Sequence, residues 1–335
     1  MENLFHRGAG RAAALLVFIV AMLGSVSAHA GSWTFGVHGN LWGAREYQVW
    51  IPSGYQAGTP VPLVLVLHGC LTDPNSMAAV SRFNDLADRD RFIVVYPRQN
   101  VTSNPQRCWN FMLSTNQTRG AGEPSILAGI VGEVRNRYSV DTSRMYVTGI
   151  SAGGAMTSTM AACYSDLFAA AAVHAGGMYK GGVGLVTAAE SLLLGSPYDP
   201  DERGKRAWQC SGSPRRLMPM LVFHGTSDIV VNPVNGDQTV RQFVQTNDYG
   251  DDGSDNNSAA YVAASTTSHV TPVANGRAYT VATYRNSGGT VVAQKYTVDG
   301  MNHAWSGGPS VWPFSDELAP DATGISWAFF RNYRR

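Results

Sequence analysis

The apolar residues of this chain fall into short continuous runs that alternate with stretches of helical spacing. The clearest runs are residues 62–69 (PLVLVLHG), 91–97 (RFIVVYP), 144–149 (RMYVTG) and 217–225 (LMPMLVFHG). Such runs are typical of strands buried on both faces. Helical spacing follows at 76–90 and 122–138, where Pro124 suits a first helical turn. The alternation predicts an α/β fold, a doubly wound and mostly parallel sheet with helices on both faces.

Other segments have weaker patterns. The stretch 46–52 (EYQVWIP) alternates like a strand, and 278–284 and 293–300 indicate two more strands near the C-terminus. Scattered Gly and Pro at 180–215 predict an irregular insertion beside the sheet edge. The polar, Gly- and Asp-rich stretch 247–260 predicts a surface loop. We expect one catalytic domain over residues 31–335.

The first thirty residues differ from the rest. Arg7 and Arg11 precede an apolar run at 12–26. The small residues Ala28 and Ala30 follow that run. This pattern predicts a signal peptide over residues 1–30 that is cleaved near Ala30, and hence a secreted or periplasmic protein. The alternative is a membrane anchor, but the run is about 15 residues long and a span needs about 20. We expect no membrane span in the mature chain.

Composition excludes some classes of partner. The chain has 335 residues, of which 44% are hydrophobic, and its 25 Lys and Arg nearly balance its 24 Asp and Glu. A nucleic-acid partner is not expected, because no basic excess and no long run of like charge is present. We expect a monomer.

The four cysteines are even in number and widely spaced, without a C-x-x-C pair. In an oxidising compartment two disulfides are the default. Four cysteines allow three pairings, and the sequence does not choose among them. Our hypothesis is Cys70–Cys108 and Cys163–Cys210.

The candidate nucleophile is Ser151, in the stretch TGISAGG. A predicted strand runs into Gly149, and small residues at helical spacing follow Gly153. The two glycines remove Cβ atoms that would clash in a tight strand-to-helix turn, which leaves the serine exposed. The alternative is a glycine-rich crossover with an idle serine.

A catalytic serine needs a base, and the base needs an orienting acid. On this type of sheet the order along the chain is Ser, acid, His. Asp228 follows the strand 217–225, and His303 follows the last predicted strand in a glycine-flanked loop. The alternatives are Asp237 as the acid, a purely turn-forming Asp228, and His269 as the base. Strand-end histidines at 68 and 224 are typical of packed side chains.

Acyl transfer also needs donors for an oxyanion. The backbone N–H of Ala152 follows the nucleophile, and the Cys70 N–H lies in the loop after the first buried strand. Cys70 as a thiol nucleophile is a weaker alternative, since oxidation would consume it. No Walker loop, G-x-G-x-x-G or H-E-x-x-H motif occurs, and we expect neither cofactor nor metal.

The chain resembles secreted polyhydroxybutyrate depolymerases with a type-one catalytic domain, and the related feruloyl and acetyl-xylan esterases. The matching stretches include PLVLVLHGCLTDPNSMA, VDTSRMYVTGISAGGAM, FHGTSDIVVNPVNG and NHAWSGG. The resemblance implies an α/β-hydrolase fold with Ser151, Asp228 and His303 as the triad. It also implies an oxyanion loop at Cys70. Family members usually append a polymer-binding domain, and we expect none here.

The sequence therefore predicts a secreted serine esterase that cleaves short-chain polyhydroxyalkanoate or its oligomers. A feruloyl or acetyl-xylan esterase is the alternative. A non-catalytic binding protein on a hydrolase scaffold is a further alternative, although all three triad positions are intact. Trp109 and Trp305 are predicted to line the substrate groove, because aromatic faces bury much apolar area.

Overall fold

The computed structural model describes residues 30–212, 215–261, 264, 266–270 and 275–335. The predicted signal peptide thus lies, but for Ala30, outside the described residues. The strands are β1 Ser32–Asn40, β2 Gly43–Ile51, β3 Val61–Leu67, β4 Ile93–Pro97, β5 Val140–Ile150, β6 Ala170–His174, β7 Met220–Gly225, β8 Thr266–Val270, β9 Tyr279–Arg285, β10 Val291–Val298, β11 Trp305–Ser306 and β12 Ser315–Asp316. The α-helices are α1 Pro74–Ser81, α2 Phe83–Asp90, α3 Gly122–Arg137, α4 Ala152–Cys163, α5 Leu185–Leu194, α6 Pro200–Cys210, α7 Val234–Asp252 and α8 Ala322–Phe330.

A single ten-stranded sheet has the order β1-β2-β4-β3-β5-β6-β7-β10-β9-β8. The six neighbouring strands β4-β3-β5-β6-β7-β10 in the centre of the sheet run parallel. Antiparallel strands extend both edges: β2 and β1 on one side, β9 and β8 on the other. The predicted mostly parallel sheet is confirmed.

Both faces of the sheet are buried, which explains the continuous apolar runs. Along β3, Leu63 and Leu65 face a core that includes residues of α3, α4, α6 and α7. The alternate residues Val64 and Val66 face a second core with residues of α1, α2 and α8. Successive strand side chains point to opposite faces, so a strand covered on both sides needs apolar residues throughout.

The stretch 76–90, predicted to be helical throughout, forms parts of two separate helices. Arg82 adopts a left-handed conformation with φ of 54° and separates α1 from α2. Asp73 caps α1, whose first residue is Pro74. The apolar side chains of both helices still pack on the same core, which is why their spacing looked continuous.

Two stretches predicted as irregular are partly helical. Residues 180–215 contain α5 and α6, and α6 begins with a capping Asp199 followed by Pro200. An Asp followed by Pro is a typical start of a helix. The helix was not predicted because the apolar residues of this stretch have only weak helical spacing. In the stretch 247–260, α7 continues to Asp252 and only the remainder forms a loop. The buried Asp248 holds that loop through the amide of Ala259 at 3.0 Å.

No helix among the described residues is long and apolar enough to cross a bilayer.

Candidate active site

The predicted catalytic residues follow neighbouring parallel strands at one edge of the sheet. Ser151 comes directly after β5, Asp228 follows β7 and His303 follows β10. In the sheet these strands are separated only by β6, because the order is β5-β6-β7-β10. Carboxyl ends of parallel strands meet at one edge, which brings the three side chains together.

Ser151 occupies a strained turn between β5 and α4. Its φ is 59° and its ψ is −124°, a conformation that side-chain-bearing residues rarely adopt. Its amide donates to the carbonyl of His174 at 3.0 Å. A Cβ on Gly149 would lie 2.6 Å from the carbonyl oxygen of Gly153, and one on Gly153 would lie 2.3 Å from that of Leu67. The tight strand–turn–helix geometry that the sequence predicts is therefore present.

Asp228 and His303 form a buried pair. The Nδ1 atom of His303 lies 2.8 Å from Oδ2 of Asp228. The other oxygen, Oδ1, accepts the amides of Val230 at 2.9 Å and Val231 at 2.8 Å. Since Nδ1 faces a carboxylate it carries the proton, which leaves Nε2 as a base. Burial alone would raise the pKa of Asp228, but hydrogen bonds from His224 and His303 hold it well below its usual range.

A second histidine reaches the same carboxylate. His224 Nε2 lies 3.3 Å from Asp228 Oδ2 and 2.9 Å from the carbonyl oxygen of Val231. Both neighbours are acceptors, so Nε2 carries the proton and donates. The sequence predicts only a packed side chain at His224. Its position four residues before Asp228, at the end of a buried strand, was the available signal.

A cavity of about 380 Å³ lies over the strand ends. Its lining includes the predicted Ser151, His303, Cys70 and Ala152, together with Gly69, Leu71, Thr72, Gln106, Phe111, Ile150, Leu192, Val230, Val231 and Phe314. Most of these side chains are apolar. The alternatives for the acid and the base lie elsewhere: Asp237 pairs with Lys295, and His269 of β8 lies 3.2 Å from Thr280.

The prediction that Trp109 and Trp305 line the substrate groove is wrong, because both side chains are fully buried. The indole of Trp109 donates to the carbonyl of His68 at 3.1 Å. The indole of Trp305 donates to Thr323 at 3.0 Å and its ring stacks on His174. Both tryptophans are therefore core residues, and neither lines the cavity beside Ser151.

Both hypothesised disulfides are present, Cys70–Cys108 and Cys163–Cys210. The first ties the loop after β3 to the segment before α3. Because its sulfur is bonded to Cys108, Cys70 has no free thiol, and the thiol-nucleophile alternative is excluded.

His174, whose carbonyl accepts the Ser151 amide, has no hydrogen-bond partner on either ring nitrogen among the described residues. Its ring stacks between Phe223 at 4.8 Å and Trp305 at 3.8 Å. Burial lowers its pKa from 6.5 to about 3. The folded state therefore binds a proton less readily than the unfolded state. The uncharged His174 therefore contributes to the free energy of unfolding in full above pH 6.5, and this contribution is lost as the pH falls toward 3.

We expect His174→Phe to reduce the acid sensitivity of folding. A phenyl ring is planar, can stack on the same two aromatic neighbours, and does not titrate. Between pH 7 and pH 5 the wild-type protein should lose about 2 kcal/mol through His174, a loss that the variant lacks. Urea unfolding at the two pH values, with disulfides intact, measures it. An equal loss in both proteins would contradict the assignment.

Residues 45–272 match the protein-family model described as Esterase PHB depolymerase. Poly(3-hydroxyalkanoate) depolymerase C of Paucimonas lemoignei is 35% identical over 254 residues, which are 76% of this chain and 56% of that protein. Feruloyl esterase B of Neurospora crassa is 29% identical over 213 residues, covering 60% of this chain and 71% of its own. This chain thus spans little more than half the length of the similar depolymerase.

Among solved structures, an acetyl xylan esterase from Aspergillus awamori superposes with a TM-score of 0.67 at 22% identity. The superposition covers 85% of this chain and 94% of that one. Similarity at this level concerns the fold, which the two proteins share.

Proposed function

Because this chain belongs to the esterase family of polyhydroxybutyrate depolymerases, we propose that it is a serine esterase that hydrolyses short-chain polyhydroxyalkanoate or its oligomers. The observation that carries the proposal is the meeting of Ser151 with the Asp228–His303 pair at one apolar cavity. The similarity to a depolymerase supports the substrate class.

In the proposed reaction, Ser151 Oγ attacks the ester carbonyl carbon while His303 Nε2 accepts the hydroxyl proton. Asp228 holds the Nδ1–H of His303 and stabilises the imidazolium. The tetrahedral oxyanion accepts hydrogen bonds from the amides of Cys70 and Ala152. The ester C–O bond breaks as His303 returns the proton to the departing alcohol. Water then attacks the acyl carbon as His303 Nε2 accepts its proton. The bond between that carbon and Ser151 Oγ breaks, His303 returns the proton to Oγ, and the hydroxy acid leaves.

Apolar surface around the cavity favours a neutral, aliphatic substrate. Leu71, Val230 and Phe314 line the cavity and remain 68%, 47% and 41% exposed. Ile229, beside Val230, is 86% exposed. Exposed apolar side chains grouped at one opening indicate a partner that covers them. An uncharged polyester segment offers methyl and methylene groups for such contact, whereas a polysaccharide requires many hydrogen-bonding partners.

A second candidate is the release of ferulate from plant cell-wall polysaccharide. The observation in its favour is the similarity to feruloyl esterase B. Phe111 and Phe314 in the cavity wall also offer aromatic faces to a ferulate ring.

Product analysis separates the two candidates. The purified protein is incubated with amorphous polyhydroxybutyrate particles and, separately, with feruloylated arabinoxylan. We expect 3-hydroxybutyrate or its short oligomers from the polyester, measured by mass spectrometry, and none with Ser151→Ala. Ferulate from arabinoxylan without any hydroxybutyrate would overturn the polyester proposal in favour of the second candidate.

We further propose that residues 1–30 direct export and are then removed. The basic start, the apolar run and the small residues at Ala28 and Ala30 support this proposal. Two disulfides also suit an oxidising compartment. Intact-mass measurement of the exported protein should give a chain beginning at Gly31.

A further inference from the structure

The loop after β3 presents one peptide unit to the nucleophile. A Cβ built on Gly69 would lie only 3.3 Å from Cβ of Ser151. The next amide, that of Cys70, donates to no acceptor within the described part of the chain. This N–H and the carbonyl of Gly69 belong to the same planar peptide, and in a trans peptide they point in opposite directions. A hydrogen bond that fixes the direction of the Gly69 carbonyl therefore also fixes the direction of the Cys70 N–H.

Two side chains hold that carbonyl. Thr72 Oγ1 donates to the oxygen of Gly69 at 2.8 Å. His68 Nδ1 lies 2.8 Å from the same oxygen. The carbonyl thus has a hydrogen bond for each of its lone pairs, which restricts rotation of the peptide plane.

The protonation state of His68 is set by its other nitrogen. Nε2 accepts the amide of Gln99 at 3.0 Å, so Nδ1 carries the proton and donates to Gly69. Burial lowers the pKa of His68 to about 4, although the bond to Gly69 opposes this shift. The neutral donor is therefore the form present near neutral pH.

Gln99, whose backbone amide donates to His68, is fully buried. Gln99 Nε2 donates to the carbonyl of Cys108 at 2.9 Å and to Glu123 Oε1 at 2.5 Å. Arg45 pairs with the same carboxylate at 2.9 Å. Cys108 is in turn bonded to Cys70. These contacts join the loop after β3 to α3 and β2 through groups that solvent does not reach.

We propose that His68 and Thr72 are positioning residues for the oxyanion hole: they hold the Gly69 carbonyl so that the Cys70 amide points at the developing oxyanion. This proposal rests on the proposed esterase function. Neither residue touches the reacting atoms in this role; each acts through one peptide plane. An amide aimed at charge that develops only in the transition state affects kcat more than KM.

The test compares Thr72→Val with Thr72→Ser, using hydrolysis of p-nitrophenyl butyrate. Valine is nearly isosteric but donates no hydrogen bond, whereas serine retains the hydroxyl. We expect the valine variant to lower kcat about tenfold with KM within about twofold, since losing a whole oxyanion donor costs about 10²–10³. Serine should restore most of kcat. Thr118→Val, which removes a similar hydroxyl-to-carbonyl bond at an exposed site, should leave kcat unchanged.

A second measurement distinguishes positioning from a general structural effect. A butylboronic acid adduct on Ser151 places an oxygen anion where the transition state has one. Its inhibition constant should rise in Thr72→Val in proportion to the fall in kcat/KM, while the thermal midpoint falls by no more than about 4 °C, the effect of one lost hydrogen bond.

Unchanged kcat and unchanged boronate affinity in Thr72→Val would overturn the proposal. A rise in KM alone would also overturn it, because it would indicate a ground-state contact. If instead the wild-type protein shows no turnover that depends on Ser151, the proposed esterase function itself fails. The two failures are therefore distinguishable.

Discussion

Ser151→Ala is expected to lower kcat for ester hydrolysis by about 10⁶-fold while leaving the fold intact. The substitution removes the only atom that forms the covalent bond in the proposed reaction. It does not remove a structural contact of the turn, because the hydrogen bond to His174 comes from the Ser151 backbone amide. The left-handed φ of 59° remains accessible to alanine at a similar cost. Steady-state hydrolysis of p-nitrophenyl butyrate measures the effect.

A matched control is Ser158, which lies about two turns after Ser151 in α4. Ser158 is buried and donates to the carbonyl of Gly177 at 2.8 Å, away from the cavity lining. Ser158→Ala should retain activity within a few-fold and lose about 1 kcal/mol of stability. A fluorophosphonate probe should label the wild-type protein and Ser158→Ala but not Ser151→Ala. Hydrolysis by Ser151→Ala at more than a hundredth of the wild-type rate would indicate another nucleophile.

Asp228→Asn is expected to lower kcat by about 10⁴-fold. The amides of Val230 and Val231 donate to Oδ1, so the asparagine oxygen must remain at that position. The asparagine NH₂ group then faces His303 Nδ1 in place of the carboxylate oxygen. A donor there favours the tautomer with the proton on Nε2, and that nitrogen can no longer accept the serine proton. The expected loss is thus in chemistry, with KM little changed.

The control for this variant is Asp237→Asn. Asp237 was the alternative acid, and it pairs with Lys295 with about half of its side chain exposed. A partly exposed ion pair contributes little to stability, so this variant should stay within about twofold of the wild-type kcat. The pair of variants is measured by steady-state kinetics near neutral pH. Equal losses in the two variants, or a fully active Asp228→Asn, would contradict the assignment of the acid.

Local patterns predicted much of the site. The glycines at 149 and 153 indicate a turn in which these two positions have no room for a Cβ. The structure confirms this, because a Cβ on either glycine would overlap backbone atoms. The continuous apolar runs predicted the central strands, because a strand covered on both faces has no polar side. The order of serine, acid and histidine along the chain left two candidates for each role. Asp228 was favoured because it directly follows a predicted buried strand, and His303 because it follows a predicted strand in a glycine-flanked loop.

The same patterns failed where burial depends on distant elements. Apolar aromatic residues near the site suggested a substrate groove, yet Trp109 and Trp305 pack inside the core. Short helices such as α6 have few apolar residues because they touch the core along a narrow stripe. His224 and His68 looked like ordinary packed histidines, since nothing in the sequence states which acceptor a buried ring nitrogen will meet.

By itself, the sequence determined the central strands and the strained turn and indicated the proposed reactive groups, because these depend on residues within a few positions of one another. Only the tertiary structure decided the pairings. The contact between His303 and Asp228 joins residues 75 positions apart, and it exists because β10 lies beside β7 in the sheet. The pairing of the cysteines and the two hydrogen bonds on the Gly69 carbonyl were also decided there. Their geometry depends on how strands and loops pack in space, and a local pattern of apolar and polar residues does not encode that distance.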